Sequence, residues 1–319
     1  MEFAWILLGV LAFFTLLVLL ISYICFRIAF FVSIKQRTPG NEYPIPDGHI
    51  YLPYRDTMVQ WIREVRAMPH ESFCITSFDG LKLFGNYYEY APGAPIELMF
   101  HGYRGQAERD LCGGVQRCFA LKRSALIVDQ RACGRSEGNV ITFGVNEHRD
   151  CLSWVEFMTE HFGPDVPIIL TGISMGAATV VMAAGHPLPE NVVGVLADCG
   201  FTSGKEIIKK VIGTMHLPPK LAYPFVKLGA SLFGRFDLEE MPAIEAVKRC
   251  TLPLILLHGD DDNYVPCYMS QEIFDACPST KKFVKIAGAG HGMSYLLAPE
   301  EYLKELGDFF RPILTDHIS

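Results

Sequence analysis

Gly172-Ile173-Ser174-Met175-Gly176 is the stretch of this chain whose residue types best suit covalent chemistry. It follows the apolar run 166–170 and opens an Ala/Val-rich segment that reads as a helix. A serine placed this way sits on a sharp strand-to-helix turn with its hydroxyl thrust out of the sheet. The glycines leave room for the turn and for close helix–strand packing. A hydroxyl is a poor nucleophile until a base takes its proton, and the base needs a partner to fix its tautomer. The downstream sequence offers both. Asp260, Asp261 and Asp262 follow the apolar run 254–258, and spacing alone does not choose among them. His291 lies in Gly288-Ala289-Gly290-His291-Gly292, after the run 282–286. Asp198, at the end of another apolar run, is the alternative carboxylate. The chemistry this set predicts is attack by a serine on an acyl carbon. The developing oxyanion would face the backbone N–H of Met175 and that of Tyr103, in His101-Gly102-Tyr103 after the run 96–100.

Positioning these groups takes a particular set of elements. Strand patterns at 73–78 and 83–90 flank Asp79-Gly80, a hairpin turn signal. Strands at 96–100, 125–129, 166–172, 192–198, 254–258 and 282–286 then alternate with helices at 109–120, 146–160, 176–184 and 299–310. This rhythm predicts an α/β fold: a mostly parallel sheet, opened by an antiparallel pair, with helices on both faces. Ligands in such sheets gather at the carboxyl ends of strands, where Ser174, the three aspartates and His291 all fall. The interval between Asp198 and Leu254 exceeds what one crossover needs. It reads as a short helical lid at about 200–250 over that edge. Phe225, Leu228 and Leu232 are its candidate acyl contacts, or else its own packing.

The N-terminus is of another kind. Residues 3–26 carry no charge, and the apolar character resumes after Arg27 as far as Ile34. That length spans a bilayer, with Trp5 and Tyr23 near its ends. Met1-Glu2 lacks the basic start of a secretion signal, so the segment reads as an uncleaved single-pass anchor. Arg27, Lys35 and Arg37 follow it, which places the rest of the chain in the cytoplasm. The expected organisation is an anchor over 1–34, a connector over 35–72 and a catalytic domain over 73–319. The connector has turns at Thr38-Pro39-Gly40-Asn41 and Tyr43-Pro44-Ile45-Pro46-Asp47-Gly48 and an amphipathic helix at 58–68 carrying Trp61, Ile62 and Val65. Deleting residues 1–34 is expected to release a soluble, active domain. The ten scattered cysteines form no C-x-x-C pair and read as reduced, buried thiols without a metal. A net charge of −7 with no Lys/Arg-rich tract excludes a nucleic-acid binder.

Three further segments carry a family resemblance. They are Phe100-His101-Gly102-Tyr103, the turn Asp129-Gln130-Arg131-Ala132-Cys133-Gly134-Arg135-Ser136-Glu137-Gly138 with Ala132 where glycine is usual, and His258-Gly259-Asp260-Asp261-Asp262-Asn263-Tyr264-Val265-Pro266. With the chain order Ser, Asp, His, the chain from Phe73 onward resembles the α/β-hydrolases. Within them it is similar to membrane-anchored esterase-like enzymes with a short lid, and also to prolyl-oligopeptidase-like catalytic domains. The resemblance implies Asp262 as the acid beside Ser174 and His291. It also implies a serine hydrolase of carboxylic esters, of lipids or other acylated small molecules, needing no cofactor or metal. A peptidase or an acyl-thioesterase would use the same machinery. The alternative of another class is a membrane-anchored, non-catalytic binding protein on this fold, although no catalytic position is lost. His101 reads as a structural support of its loop. Arg131 and Arg135 read as structural ion pairs, or alternatively as a grip on an anionic substrate.

Overall fold

The structure, a computed structural model, describes residues 1–37, 41–46 and 48–318. Thr38, Pro39 and Gly40 of the first expected connector turn, and Asp47 of the second, lie outside the described residues. The chain opens with α1 (Glu2–Ala29) and one turn of helix, α2 (Ile34–Arg37). A 3₁₀ helix (His49–Tyr54) leads into α3 (Arg55–Ala67), whose Met58, Val59, Ile62 and Val65 are buried. The hairpin β1 (Glu71–Thr76) and β2 (Lys82–Tyr88) follows, with Gly80 at φ +91°. Then β3 (Ile96–Phe100), α4 (Ala107–Ala120), β4 (Ser124–Asp129), α5 (Glu147–Phe162), β5 (Ile168–Ile173), α6 (Met175–Ala183) and β6 (Val192–Asp198) alternate. After β6 come α7 (Gly204–Thr214), α8 (Pro219–Gly229), a π-helical turn (Ala230–Gly234) and α9 (Ala243–Ala246). The fold closes with β7 (Leu254–Gly259), α10 (Tyr268–Ala276), β8 (Lys281–Ile286), α11 (Ser294–Leu297) and α12 (Pro299–Ile318).

The eight strands form one sheet in the order β1-β2-β4-β3-β5-β6-β7-β8. The β1/β2 and β2/β4 pairs are antiparallel and the other pairs parallel. Every residue of β3, β4, β6 and β7 is buried, which is why these strands read as continuous apolar runs rather than alternating ones. Glu97 is the charged exception inside β3. It is paired with Arg117 and, at 2.7 Å, with Arg123, and it accepts a hydrogen bond from Thr171 at 2.9 Å. Strand order reverses between β3 and β5, so the loops after these two strands open side by side at the topological switch point.

Close backbone approach at that point depends on glycine. A Cβ on Gly176 would stand 2.0 Å from the Phe100 carbonyl oxygen, and one on Gly172 would stand 2.1 Å from the Gly176 oxygen. Neither contact can be relieved by a side-chain rotation. Gly176→Ala is therefore expected to cost at least about 3 kcal/mol, at the upper end of overpacking penalties. Loss of folded yield or a lowered Tm would show it.

Two expectations are corrected by the packing. First, the end of α1 belongs to the core. Phe26, Phe30 and Val32 are buried, the Val32 N–H donates to the Asn139 carbonyl at 2.9 Å, and the Ile141 N–H donates to that of Phe30 at 2.9 Å. This packed stretch lies before the boundary drawn at residue 34, so part of the segment expected as an anchor belongs to the folded domain. Burying these three side chains stabilises the fold by about 5–8 kcal/mol, comparable to the whole stability of a domain. Deleting residues 1–34 is thus expected to yield unfolded or aggregated protein, while deleting 1–20 keeps a cooperative thermal transition. Calorimetry on both truncations in detergent distinguishes them. Second, the extra helices of 200–250 are present, and Lys210 of α7 reaches the Asn263 carbonyl in the loop after β7, but none of their residues lines the cavity at Ser174. They pack on α1, with Gly229 so close to Ser22 that a Cβ would lie 2.4 Å from its carbonyl oxygen. The Phe233 ring lies 5.2 Å from Tyr23 and 6.0 Å from Phe26.

Candidate active site

Ser174 links β5 to α6 with φ +57° and ψ −116°, a conformation an L-residue adopts only under constraint. Its own N–H is tied to the Asp198 carbonyl at 2.8 Å. Across from it, a Cβ on Gly102 would lie 3.5 Å from Ser174 Cβ, so the loop after β3 rests directly on the serine.

His291, in the loop after β8, bridges the serine and the acid. Its Nε2 lies 2.9 Å from Ser174 Oγ and its Nδ1 2.6 Å from Asp262 Oδ2. Because a carboxylate only accepts, Nδ1 carries the proton and Nε2 is left to accept from the serine hydroxyl. Asp262 is held from every side. Its Oδ1 accepts from the Tyr264 and Val265 N–H groups, each at 2.8 Å. Buried His258 approaches Oδ2 at 3.2 Å. His258 Nε2 donates to the Val265 carbonyl at 2.9 Å, and its Nδ1 accepts from Ser270 Oγ at 2.7 Å. Burial pushes the Asp262 carboxyl up. The hydrogen bonds from His258 and His291, with the Val265 amide, outweigh this and hold it well below the usual carboxylate range.

Of the candidate carboxylates, the structure brings only Asp262 to His291. Asp198 accepts from Ser294 Oγ at 3.1 Å and Tyr302 OH at 3.0 Å, and burial pushes its carboxyl up. Asp260 accepts from the Gly288 N–H at 2.7 Å and supports the histidine loop from beneath. Met175 N–H is the first of α6 and has no acceptor within its own helix. Tyr103 lies on the loop that abuts Ser174, its ring stacked on Phe143 and its OH donating to the Ala29 carbonyl at 2.8 Å. Cys199, Asp262 and His291 each place a potential metal-ligand atom within 4.8 Å of the others. Two of them are bonded to each other, and burial holds the Cys199 thiol far above its ordinary range, so the group is a hydrogen-bonded relay with a thiol packed behind it.

A cavity of about 600 Å³ opens at Ser174 and His291. Met58, Trp61, Met99, Leu111, Ile173 and Leu196 supply apolar lining. Phe225, Leu228 and Leu232 do not line it; they belong to the helices packed on α1. Residues upstream of the sheet do the covering instead. Ile50 and Tyr51 of the 3₁₀ helix line the cavity, and Tyr51 OH donates to the His291 carbonyl at 2.8 Å. Trp61 stacks on Tyr295 at 5.6 Å, and a Cβ on Gly113 would meet its ring at 2.7 Å. Nothing in the sequence marked Tyr51, whose partner lies 240 residues away. For His258, the available signal was its place four residues before Asp262.

The remaining residues singled out in the sequence serve the scaffold. His101 is buried; its Nδ1–H donates to the Gly102 carbonyl at 2.8 Å, and its Nε2 accepts from the Gln130 N–H at 3.1 Å. Desolvation lowers its basicity and keeps it neutral. Arg131 makes two 2.6 Å bonds to Asp150 and one of 2.9 Å to Asp79. Arg135 bonds Asn86 at 2.7 Å. Ala132 sits at φ +62°, which explains why glycine is usual at that place.

Comparison with known proteins agrees with this architecture. The model of the Alpha/beta hydrolase family matches residues 98–305, well over half the chain. The Bacillus subtilis protein YqkD is 25% identical over 190 residues, which cover 58% of this chain and 61% of that protein. The lysophosphatidylserine lipase ABHD12 of Danio rerio is 23% identical over 236 residues, 68% of this chain and 58% of that one. The chain thus spans about three fifths of the length of these two relatives. Among solved structures, the Pyrococcus furiosus esterase Pf2001 superposes with a TM-score of 0.65 at 20% identity, over 84% of this chain and 96% of the esterase. The doubly wound sheet, the serine on its sharp turn and the family match together establish that this chain belongs to the alpha/beta hydrolase family.

Proposed function

We propose that the chain is a membrane-held serine hydrolase that cleaves carboxylic esters. The observation that carries this reading is the unbroken hydrogen-bonded line from Asp262 through His291 to Ser174, ending on the wall of an apolar cavity. Ser174 Oγ attacks the ester carbonyl carbon while His291 Nε2 takes its proton, and Asp262 stabilises the imidazolium. The carbonyl oxygen becomes an oxyanion facing the Met175 and Tyr103 N–H groups. The acyl C–O bond then breaks, and His291 returns the proton to the departing alcohol. A water that gives its proton to His291 attacks the acyl-enzyme, releasing a carboxylic acid and restoring Ser174.

Acylated lipids are the substrate class with the most support. Most of the cavity wall is apolar, with Arg104, Arg109 and Asp110 among its polar lining, α1 is long and apolar enough to cross a bilayer, and a relative is named a lysophosphatidylserine lipase. Arg27, Lys35 and Arg37 support a cytoplasmic catalytic domain. The reading is tested with full-length protein in detergent against esters of rising acyl length, with matching thioesters and amides. Turnover rising with chain length and favouring oxygen esters is expected. Best turnover of acetyl esters would remove the lipid assignment, and hydrolysis of amides alone would replace the esterase with a peptidase.

Tyr51 contributes by holding the His291 backbone. Losing one such hydrogen bond costs about 1 kcal/mol, or roughly a five-fold rate difference. Tyr51→Phe is expected to lower kcat by that factor with KM little changed, as steady-state kinetics on the preferred ester would show.

A further inference from the structure

We infer that the α7–α8 hairpin is a second membrane contact, its tip at residues 215–219 entering the leaflet of an anionic phospholipid bilayer beside α1. The inference rests on reading α1 as a membrane span.

The direction of packing is the first argument. Gly229 lies against Ser22, Phe233 against Tyr23 and Phe26, and Phe236 against Phe30 at 5.3 Å. Contacts advance together along both segments, so the chain before Gly229 runs back toward the N-terminal part of α1. From Gly229 to Pro219 a helix rises about 15 Å, about half of a 30 Å hydrocarbon core. Ser22 stands near the end of the uncharged run of α1, so the hairpin tip falls at leaflet depth.

Side-chain chemistry agrees. Met215, Leu217, Leu221 and Leu232 are large apolar residues that the fold leaves exposed, Leu221 at 70%. Leu221 and Leu232 are exposed while Phe225 and Leu228 between them are half-buried, so of the three residues read from sequence as acyl contacts only Leu232 faces outward. The exposed patch is continuous with α1 through Phe233. Charge points to the lipid class. Between 204 and 240 the bases Lys205, Lys209, Lys210, Lys220, Lys227 and Arg235 outnumber the acids Glu206, Asp237, Glu239 and Glu240; Glu239 pairs with Lys205 and Lys227 and Glu206 with Lys209, so Lys210, Lys220 and Arg235 carry the surplus, in a chain of net −7. Cations at headgroup level attract anionic lipid, and the long stem of a lysine near the tip lets its ammonium reach back to the interface.

The test places the photocrosslinker p-benzoylphenylalanine at Leu221 in the full-length protein, reconstituted in vesicles of phosphatidylcholine and phosphatidylglycerol. Phe13 in α1 and the exposed Glu160 on α5 are the comparison positions. After irradiation, a mass increase of one phospholipid is expected at 221 and at 13, and none at 160. Adducts at 13 without any at 221 would overturn the hairpin contact and leave the α1 span standing. Adducts at neither position would overturn both. None of these outcomes depends on hydrolytic activity, so failure of the esterase reading remains separable.

Discussion

Ser174→Ala is expected to lower kcat/KM on the preferred ester by about 10⁴- to 10⁶-fold, the range found when the nucleophile of a comparable relay is removed. The alanine variant keeps the strained turn, because that conformation is imposed by the Asp198 carbonyl and by close packing of Gly172 and Gly176, not by the hydroxyl. Its circular dichroism and Tm should match those of the parent. Residual activity above background should survive, since the apolar cavity and the backbone donors are untouched. A variant that retained a tenth of the parent activity would show that the acyl group does not pass through Ser174.

Asp262→Asn should be almost as damaging, about 10⁴-fold in kcat, and for a reason visible in the hydrogen bonds. The Tyr264 and Val265 N–H groups both point at Oδ1, so an asparagine must present its carbonyl oxygen to them. Its NH₂ then faces His291 Nδ1. That nitrogen must switch from donor to acceptor, which moves the ring proton to Nε2 and leaves nothing to accept from Ser174. The same NH₂ opposes the Nε2–H of His258, adding a donor–donor conflict in a buried place. The substitution therefore also costs stability. A carboxyl held below its unfolded range contributes stability that is present above the unfolded pKa and lost as pH falls through the folded one. The stability gap between parent and Asp262→Asn should be full at neutral pH and shrink in strong acid, as urea unfolding at several pH values would show.

Much of the scaffold was legible because it depends on local pattern. β3 and β6 have the bounds their apolar runs suggest, and the Asp79-Gly80 turn makes its hairpin. Ser174, Asp262 and His291 meet because strand ends bring them to one edge of the sheet. Choosing Asp262 over Asp198, Asp260 and Asp261 needed a motif, since four carboxylates share that edge and only orientation separates them. The insertion shows the limit of pattern. Periodicity in Phe225, Leu228 and Leu232 says that a face is apolar, not which surface it meets: Phe225 and Leu228 are half-buried on a helix packed beside α1, Leu232 is exposed, and none of them lines the cavity. Tyr51 was invisible for the opposite reason. It lies in a short 3₁₀ segment without periodic signal, and its role comes from contact with His291, far along the chain.

The central claim is that Ser174 is the residue that becomes acylated. A fluorophosphonate reacts with an activated serine and marks it covalently. Labelling of the folded full-length protein, followed by mass mapping, should place the adduct on the peptide containing Ser174. Labelling should vanish in Ser174→Ala and fall sharply in Asp262→Asn. An adduct on another residue, or none on the correctly folded parent, would contradict the account.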